Sequence, residues 1–358
     1  MNKSPVGVIP KVGDYHVPLN ILIELCTDIK MMDCPPITAK TVEIGAKHSP
    51  DTVCTPFKVI MGNFIESLDK GATTLIMPGF GCRLGFYDML HEQILQDLGY
   101  NFEMIAICDY TATPHRIFNS LSKINPDLTR ERFDEVFLLV SKLAIDLDEF
   151  AALVRKDSAF EVEKGSFQKL YKQYLVKARK LVELSQAIDL GDQYRTLFAQ
   201  LKTDRPKEFL RIGLIGDLYS VIEPHGNCEM ESWLIKNKVE IVRPTDMTFL
   251  AKNIFNVPSM IEQSGGYVDY GIGGNANCTV MQAYQMVTNK QVDGIIHVKA
   301  ATCSPEISAM SILQTMMSDF NIPAMYLTFD TETGEAGVHT RLEAFCDMIT
   351  MKKQKAVV

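Results

Sequence analysis

The first third of the chain alternates between two hydrophobic patterns. Short apolar runs at residues 6–9, 73–77 and 102–108 predict buried strands. Between them, apolar residues recur at helical spacing, most clearly over residues 86–98, and the same spacing predicts helices at 19–26, 39–47 and 55–68. Strands that alternate with helices predict a parallel, doubly wound sheet.

From residue 114 to about 206 the pattern changes to long amphipathic helices, such as 167–184, without a convincing strand. Apolar strand runs return at 210–216, 239–242, 292–298 and 324–329. We therefore predict an α/β protein with two doubly wound parallel-sheet domains joined by a helical region. The predicted boundaries are 1–113, a helical insertion or bridge over 114–207, and 208–358.

Composition and charge narrow the classes of function. The 358 residues are 46% apolar and 22% charged, and the net charge is −8 without a basic cluster interleaved with aromatics, which argues against nucleic acid as a partner. The sequence begins without a leader-like apolar stretch, and no window approaches the ~18 apolar residues of a membrane span. A cytoplasmic location is expected, in which nine scattered cysteines suit metal binding or redox chemistry better than disulfides.

Two short strings place a thiol before a hydroxyl residue and a proline: Cys54 precedes Thr55 and Pro56, and Cys303 precedes Ser304 and Pro305. Thr or Ser is a favoured N-cap and Pro is favoured at the first helical position, so each cysteine is predicted at a helix N-terminus. The positive end of the helix macrodipole stabilises a thiolate there.

A third loop thiol, Cys82, follows the predicted strand 73–77. The three cysteines match neither a zinc ribbon nor a ferredoxin run. A [4Fe–4S] cluster held by Cys54, Cys82 and Cys303, with one iron left open, explains three ligands from two domains and an iron–sulfur site in the interdomain cleft. Cys26 and Cys346 fall in apolar helices and are expected to be core residues. A catalytic Cys–His pair with His225, His297 or His339 is a weaker alternative.

Two further segments have both a structural and a functional interpretation. The glycine-rich stretch 265–275 precedes a helix and either makes a tight turn or cradles a phosphate or cluster sulfide, but it is not a dinucleotide fingerprint. The chain has no P-loop. In the segment 330–343, Glu335, Arg341 and Glu343 are either solvated or close the cleft.

Several longer strings carry a resemblance to a known family. They occur at 41–45, 49–58, 62–66, 81–87, 293–296, 303–306, 333–337 and 340–345. In these strings the chain resembles the 2-hydroxyacyl-CoA dehydratase and benzoyl-CoA reductase superfamily, specifically its branch of CoA-substrate enzyme activase-associated proteins. The resemblance covers both α/β domains and is weak across the helical middle.

The resemblance implies two α/β domains around an iron–sulfur cluster, with Cys54, Cys82 and Cys303 at the ligand positions. It implies an oxygen-sensitive dehydratase or reductase component, which takes a low-potential electron from a separate ATP-dependent iron–sulfur activator and acts on an acyl-CoA or another small molecule. Lys58 and Arg83 are near the ligand cysteines in sequence. They either offset cluster charge, steady a substrate anion or are solvated surface cations.

Other arrangements stay open at this point. The glycine-rich loop before Cys82 is shorter than in many relatives, and a double-cubane [8Fe–9S] cluster would need more thiolates, for which the chain offers Cys34, Cys108, Cys228 and Cys278. A non-catalytic electron-transfer or cluster-carrier subunit is the main alternative function, and a cluster-free binding module is the third. The sequence does not fix the oligomeric state, and a homodimer and a heterodimer both stay open.

Overall fold

The structure is a computed structural model that describes residues 5–79, 82, 87–107, 113–253 and 256–357. Its contacts divide the chain into two compact units. Unit 1 comprises residues 1–147 and 172–196, and unit 2 comprises residues 148–171 and 197–358. The helical middle of the chain therefore contributes to both units.

Unit 1 is built on a four-stranded parallel sheet with the strand order β2-β1-β3-β4. Its strands and helices, in chain order, are β1 (Val6–Val8), α1 (His16–Cys26), β2 (Lys30–Met31), α2 (Ala39–Lys47), α3 (Thr55–Asp69), β3 (Thr74–Met77), α4 (Asp88–Asp97), β4 (Glu103–Ala106) and α5 (Pro114–Ile124). The pattern of short apolar strands between helices gives this fold because each strand must be covered on both faces.

The core of unit 1 lies between β3, all of whose residues are buried, and the apolar side of α3. Helix α2 packs closely on α3 through two glycines. A Cβ atom at Gly45 would lie 1.7 Å from the carbonyl oxygen of Lys58, and one at Gly62 would lie 1.9 Å from that of Thr41. The backbones of the two helices can approach this closely only because both positions lack a side chain.

Unit 2 repeats the same plan, with a parallel sheet in the order β6-β5-β7-β8. Its elements are β5 (Leu210–Gly216), α9 (Leu218–Ile222), α10 (Met230–Lys236), β6 (Val239–Val242), α11 (Met247–Asn253), α12 (Val257–Glu262), α13 (Ala276–Thr288), β7 (Gly294–Ala300), α14 (Ser304–Asp319), β8 (Ala324–Phe329) and α15 (Glu335–Val357). The central strand β7 is buried along its whole length and packs against α13 and α14.

The middle of the chain forms the long helices α6 (Arg130–Asp157), α7 (Ser166–Ala178) and α8 (Leu184–Gln200). Helix α6 begins in unit 1 and ends in unit 2. Over residues 114–206, which the structure describes throughout, no strand longer than one bridge between Glu161 and Thr203 forms. None of the helices described has the length and apolar character needed to cross a lipid bilayer.

The predicted fold class, α/β with two parallel sheets, is confirmed, and the differences concern the ends of some elements and one short strand. The strand expected at 292–298 is shifted to Gly294–Ala300, and the helix expected over 167–184 ends at Ala178. The two-residue strand β2 was not predicted, because Lys30 and Met31 form no apolar run.

Candidate functional site

Both sheets place a cysteine after a strand at the same topological position. The order β2-β1-β3-β4 reverses direction between β1 and β3, and the order β6-β5-β7-β8 reverses between β5 and β7. Ligands of open α/β sheets bind outside the carboxyl ends of strands at such switch points. Cys82 follows β3, which ends at Met77, and Cys303 follows β7, which ends at Ala300.

Cys54 lies at the start of α3, as the sequence predicted. The structure corrects the position by one residue: Cys54 itself is the N-cap, Thr55 is the first helical residue and Pro56 the second. The N–H of Phe57 donates to the Cys54 carbonyl oxygen at 3.1 Å, which is the first hydrogen bond of the helix. The thiol therefore sits on the cap residue, where the helix macrodipole acts most strongly on a negative charge.

Cys303 repeats this arrangement at the start of α14. It is the N-cap, its carbonyl oxygen accepts a hydrogen bond from the N–H of Ile307 at 3.0 Å, and Pro305 is the second helical residue. The expectations that Thr55 and Ser304 cap these helices are both wrong. In each helix proline occupies the second helical position and not the first, so the cap is the cysteine one residue earlier.

Three cysteines of unit 1 pack against one hydrophobic cluster. Cys34, Cys54 and Cys82 are half-buried and contact the core around Phe57 and Leu75. Lys58, one residue beyond Phe57, is also half-buried. Arg83 lies outside the described residues. The described part of unit 1 thus holds two of the three predicted ligands and Cys34, one of the thiols considered for a larger cluster.

A buried histidine, which sequence analysis missed, contacts the first turn of α3. His91, on α4, stacks on the Phe57 ring with 3.8 Å between ring centroids, and its Nε2 lies 3.1 Å from the Phe57 carbonyl oxygen. A carbonyl oxygen only accepts hydrogen bonds, so Nε2 carries the proton. Burial is the main cause that lowers the pKa of the His91 imidazole to about 4, which keeps it neutral at physiological pH.

In unit 2 the turn that carries Cys303 is fixed by backbone and carboxylate contacts. The Cys303 N–H donates to the Ala300 carbonyl oxygen at 3.1 Å, and the Ala300 N–H donates to Asp217 Oδ2 at 2.7 Å. The Ala301 N–H donates to the carbonyl oxygen of Phe329 on β8 at 2.9 Å. Asp217 follows β5 and is buried, and burial raises the pKa of its carboxyl.

The third residue of α14, Glu306, is fully buried beneath the same turn. Its Oε2 lies 2.8 Å from Nε2 of His297 on β7, and its Oε1 accepts a hydrogen bond from Thr279 Oγ1 of α13 at 2.9 Å. His297 is 1% exposed. Glu306 also contributes to the raised pKa of Asp217. One carboxylate therefore ties the start of α14 to a central strand and to a neighbouring helix.

Three further cysteines lie in buried or half-buried surroundings that raise the pKa of the thiol. Cys278 is buried in α13 with its Sγ 3.0 Å from Met260 Sδ, and burial raises its pKa to about 12. Cys26 is buried, as expected, and burial raises its pKa to about 11. Cys346 is half-buried rather than fully buried, and its pKa is likewise raised to about 11 by burial. These environments favour the neutral thiol.

Cys228 lies in a turn with left-handed backbone geometry, at φ 56°. Its Sγ lies 4.0 Å from the carbonyl oxygen of Thr333, and His339 Nε2 lies 3.2 Å from the Cys228 carbonyl oxygen. Burial raises the pKa of this thiol. Cys108 lies outside the described residues. The contact between His339 and Cys228 is thus made to the backbone and not to the sulfur.

Two side chains of the polar segment that follows β8 make contacts within unit 2. Glu335 Oε1 lies 3.7 Å from His339 Nε2, and Arg341 donates to the Tyr326 carbonyl oxygen at 3.2 Å. Burial lowers the pKa of the His225 imidazole, although nearby acidic side chains oppose the fall. Glu343 lines a surface groove of about 460 Å³ on the side of α15 that faces the amino ends of β5 and β6.

The glycine-rich stretch forms a turn before α13. Gly273 and Gly274 have positive φ angles of 107° and 52°, and Asn275 is the N-cap of the helix. Asn275 donates to the Gly216 carbonyl oxygen at 2.7 Å, and Asn277 accepts a hydrogen bond from the Ile272 N–H at 2.8 Å. Since α13 leads into β7 as α3 leads into β3, Asn275 is the topological counterpart of Cys54.

The donor set agrees with an iron–sulfur cluster in its chemistry. Cys54 and Cys303 cap helices, Cys82 follows the matching strand, and all three are half-buried and outside disulfides. Thiolates in such positions are the ligands that iron–sulfur clusters use. Among the described residues, no group of three or more His, Cys, Asp or Glu side chains is arranged to hold a metal ion. The ligands predicted from the sequence are divided between the two units.

Comparison with known proteins gives one family. The family model described as 2-hydroxyglutaryl-CoA dehydratase, D-component, matches residues 116–349. The match includes the helical middle from residue 116, the whole second sheet and Cys303, whereas Cys54 and Cys82 precede it. No curated protein matches the sequence. Because the matched region is more than half of the chain, the protein belongs to the 2-hydroxyglutaryl-CoA dehydratase D-component family.

Proposed function

We propose that this protein is an iron–sulfur component of a 2-hydroxyacyl-CoA dehydratase or reductase. Family membership supports the dehydratase component. The observation that carries the iron–sulfur proposal is the repeated strand order, with Cys82 and Cys303 following equivalent strands and Cys54 capping the helix that leads into the first of them.

In this proposal Cys54 and Cys82 of unit 1 and Cys303 of unit 2 hold a [4Fe–4S] cluster. When bound, such a cluster supplies one-electron redox chemistry and an iron position without a protein ligand. The chain contributes three thiolates, backbone N–H groups at two helix starts and, around Cys54 and Cys82, an apolar core. Lys58 is the described cation nearest in sequence to Cys54 and is proposed to offset negative charge there.

We further propose that the electron comes from a separate ATP-dependent iron–sulfur activator, because the sequence has no P-loop of its own. One electron leaves the activator and enters this protein, and ATP is hydrolysed to ADP and phosphate on the activator. The proposed substrate is an acyl-CoA or a related small molecule. The landing surface for the activator is proposed near Cys54 and Cys303.

A specific observation favours one alternative function. Cys34 packs against the same hydrophobic cluster as Cys54 and Cys82. If Cys34 supplies a fourth thiolate, every iron of a single cluster has a protein ligand, and the protein is better described as an electron carrier. Among the extra thiols that the structure describes, Cys34 is also the best placed for a double-cubane [8Fe–9S] cluster, whereas the buried Cys278 is a poor candidate because its pKa is about 12.

The test is anaerobic reduction of the oxidised protein by its activator, followed by cluster absorbance and electron paramagnetic resonance. The proposal predicts reduction with ATP and none with a non-hydrolysable analogue. Equal reduction with the analogue, or with a mild donor and no activator, would remove ATP-driven electron transfer and favour the carrier. A Cys34→Ala variant that keeps its full iron content would argue against Cys34 as a ligand.

A further inference from the structure

The two helices that begin at proposed ligands are held in the same way. In α3, which begins after Cys54, the third residue is Phe57, and the buried His91 contacts it through Nε2 at 3.1 Å. In α14, which begins after Cys303, the third residue is Glu306, and the buried His297 contacts it through Nε2 at 2.8 Å. The contacted group is a backbone carbonyl in the first case and a carboxylate in the second.

The two histidines share a further feature. His91 is 0% exposed and His297 is 1% exposed. Within the described part of the chain, Nδ1 of each ring is buried without a hydrogen-bond partner. An unsatisfied buried nitrogen costs free energy that an apolar side chain of similar size would not. An apolar side chain would therefore fill each of these positions at a lower free energy. What the histidine adds is the contact made by its Nε2.

Both contacts act on the helix turn that fixes the cysteine. The Phe57 N–H donates to the Cys54 carbonyl oxygen at 3.1 Å, so movement of Phe57 moves the cap. Glu306 lies three residues after Cys303 and is anchored on its other side by Thr279 at 2.9 Å. A contact at the third residue of a helix opposes fraying of the first turn, and such fraying would change the direction of the thiol.

We propose that His91 and His297 are positioning residues, which fix the thiols of Cys54 and Cys303 through Phe57 and Glu306 respectively. The proposal rests on the proposed function only for its purpose, which is that each of these two thiols is held ready to bind a cluster. Pre-orientation lowers the entropy that must be lost when a ligand set closes around a cluster.

The test measures the alkylation rate of each cysteine in the iron-free, folded, full-length protein, resolved by mass spectrometry. The variants are His91→Leu and His297→Leu, with His91→Gln as a conservative partner that keeps an N–H donor. Lys70→Ala at the exposed far end of α3 and Ser311→Ala on the exposed face of α14 are matched controls. Cys26 and Cys346, one in each unit, report general loosening.

The expected result is a crossed pattern. His91→Leu changes the rate at Cys54 by about fivefold and leaves Cys303 unchanged, whereas His297→Leu does the reverse, as loss of one buried hydrogen bond predicts. His91→Gln restores most of the rate at Cys54, and the two surface controls change neither. In anaerobically loaded protein, the same leucine variants are expected to alter the electron paramagnetic resonance spectrum of the cluster.

Two outcomes overturn the proposal. Equal changes at all cysteines, including Cys26 and Cys346, would mean that the histidines only stabilise the fold. No change at Cys54 or Cys303 would mean that the contacts do not orient the thiols. Because the labelling uses iron-free protein, a failure of the iron–sulfur assignment appears separately as an absence of bound iron, with the crossed pattern intact.

Discussion

The carboxylate of Glu306 lies 2.8 Å from Nε2 of His297, with both side chains buried beneath the helix that begins at Cys303. Thr279 supplies the second hydrogen bond to the carboxylate at 2.9 Å. A polar pair in this setting is costly to break, because removal of either partner leaves the other buried and unsatisfied.

We therefore predict that Glu306→Leu lowers the free energy of unfolding by about 3 kcal/mol, measured by chemical denaturation. The double variant His297→Leu with Glu306→Leu is expected to lose less than the sum of the two single variants, because neither the imidazole nor the carboxylate remains without the other, and only Thr279 loses its contact with the carboxylate. Strict additivity of the two losses would contradict an energetic coupling between the two side chains.

The pH dependence of stability is predicted to include a contribution from His91. Burial lowers its folded pKa to about 4 from an ordinary value of 6.5. The unfolded chain takes up a proton below pH 6.5 while the folded protein does not, so stability is lost as the pH falls from 6.5 toward 4. The loss from this residue amounts to about 3 kcal/mol at pH 4. The difference in acid sensitivity between the native protein and His91→Gln measures it, and identical curves would contradict the assignment.

Alanine is predicted to have opposite effects at two helical glycines, one in the close contact of α2 with α3 and one in open space on α15. Gly45→Ala places a Cβ atom 1.7 Å from the Lys58 carbonyl oxygen, so the helix that begins at Cys54 must shift. We expect a loss of about 1–3 kcal/mol and a lower melting temperature. Gly337→Ala in α15 meets no atom within 4 Å and is expected to be neutral or to stabilise by up to about 1 kcal/mol. A neutral Gly45→Ala would contradict the close approach.

Much of the fold follows from the sequence because the strands are mainly apolar, even though β5 contains Arg211 and β7 contains His297 and Lys299. Strands β3 and β7 are buried throughout and β5 is buried over its last five residues, and their apolar residues are visible without any knowledge of partners. The proline after each cysteine indicated a helix start, but the exact cap depends on whether proline takes the first or the second helical position, and the composition of the strings does not decide this.

The contacts of His91 and Glu306 were harder to predict, because each side chain contacts residues that are distant in the chain. His91 contacts a residue 34 positions away, and its position in an amphipathic helix gave no sign of the contact. Glu306 lies three residues after the cap at Cys303, where the spacing of a capping box was available as a signal, but its side chain contacts β7 and α13 instead of its own helix start.

The central claim is that Cys54, Cys82 and Cys303 bind an iron–sulfur cluster. The most direct measurement is the iron and sulfide content of anaerobically purified native protein and of five single alanine variants. We predict about four iron atoms and four sulfides in the native protein for a single cubane. Alanine at Cys54, Cys82 or Cys303 is expected to remove most of the iron, whereas Cys26→Ala and Cys346→Ala leave it nearly unchanged, since both thiols have a pKa of about 11. A colourless native protein, or equal iron in all five variants, would contradict the claim.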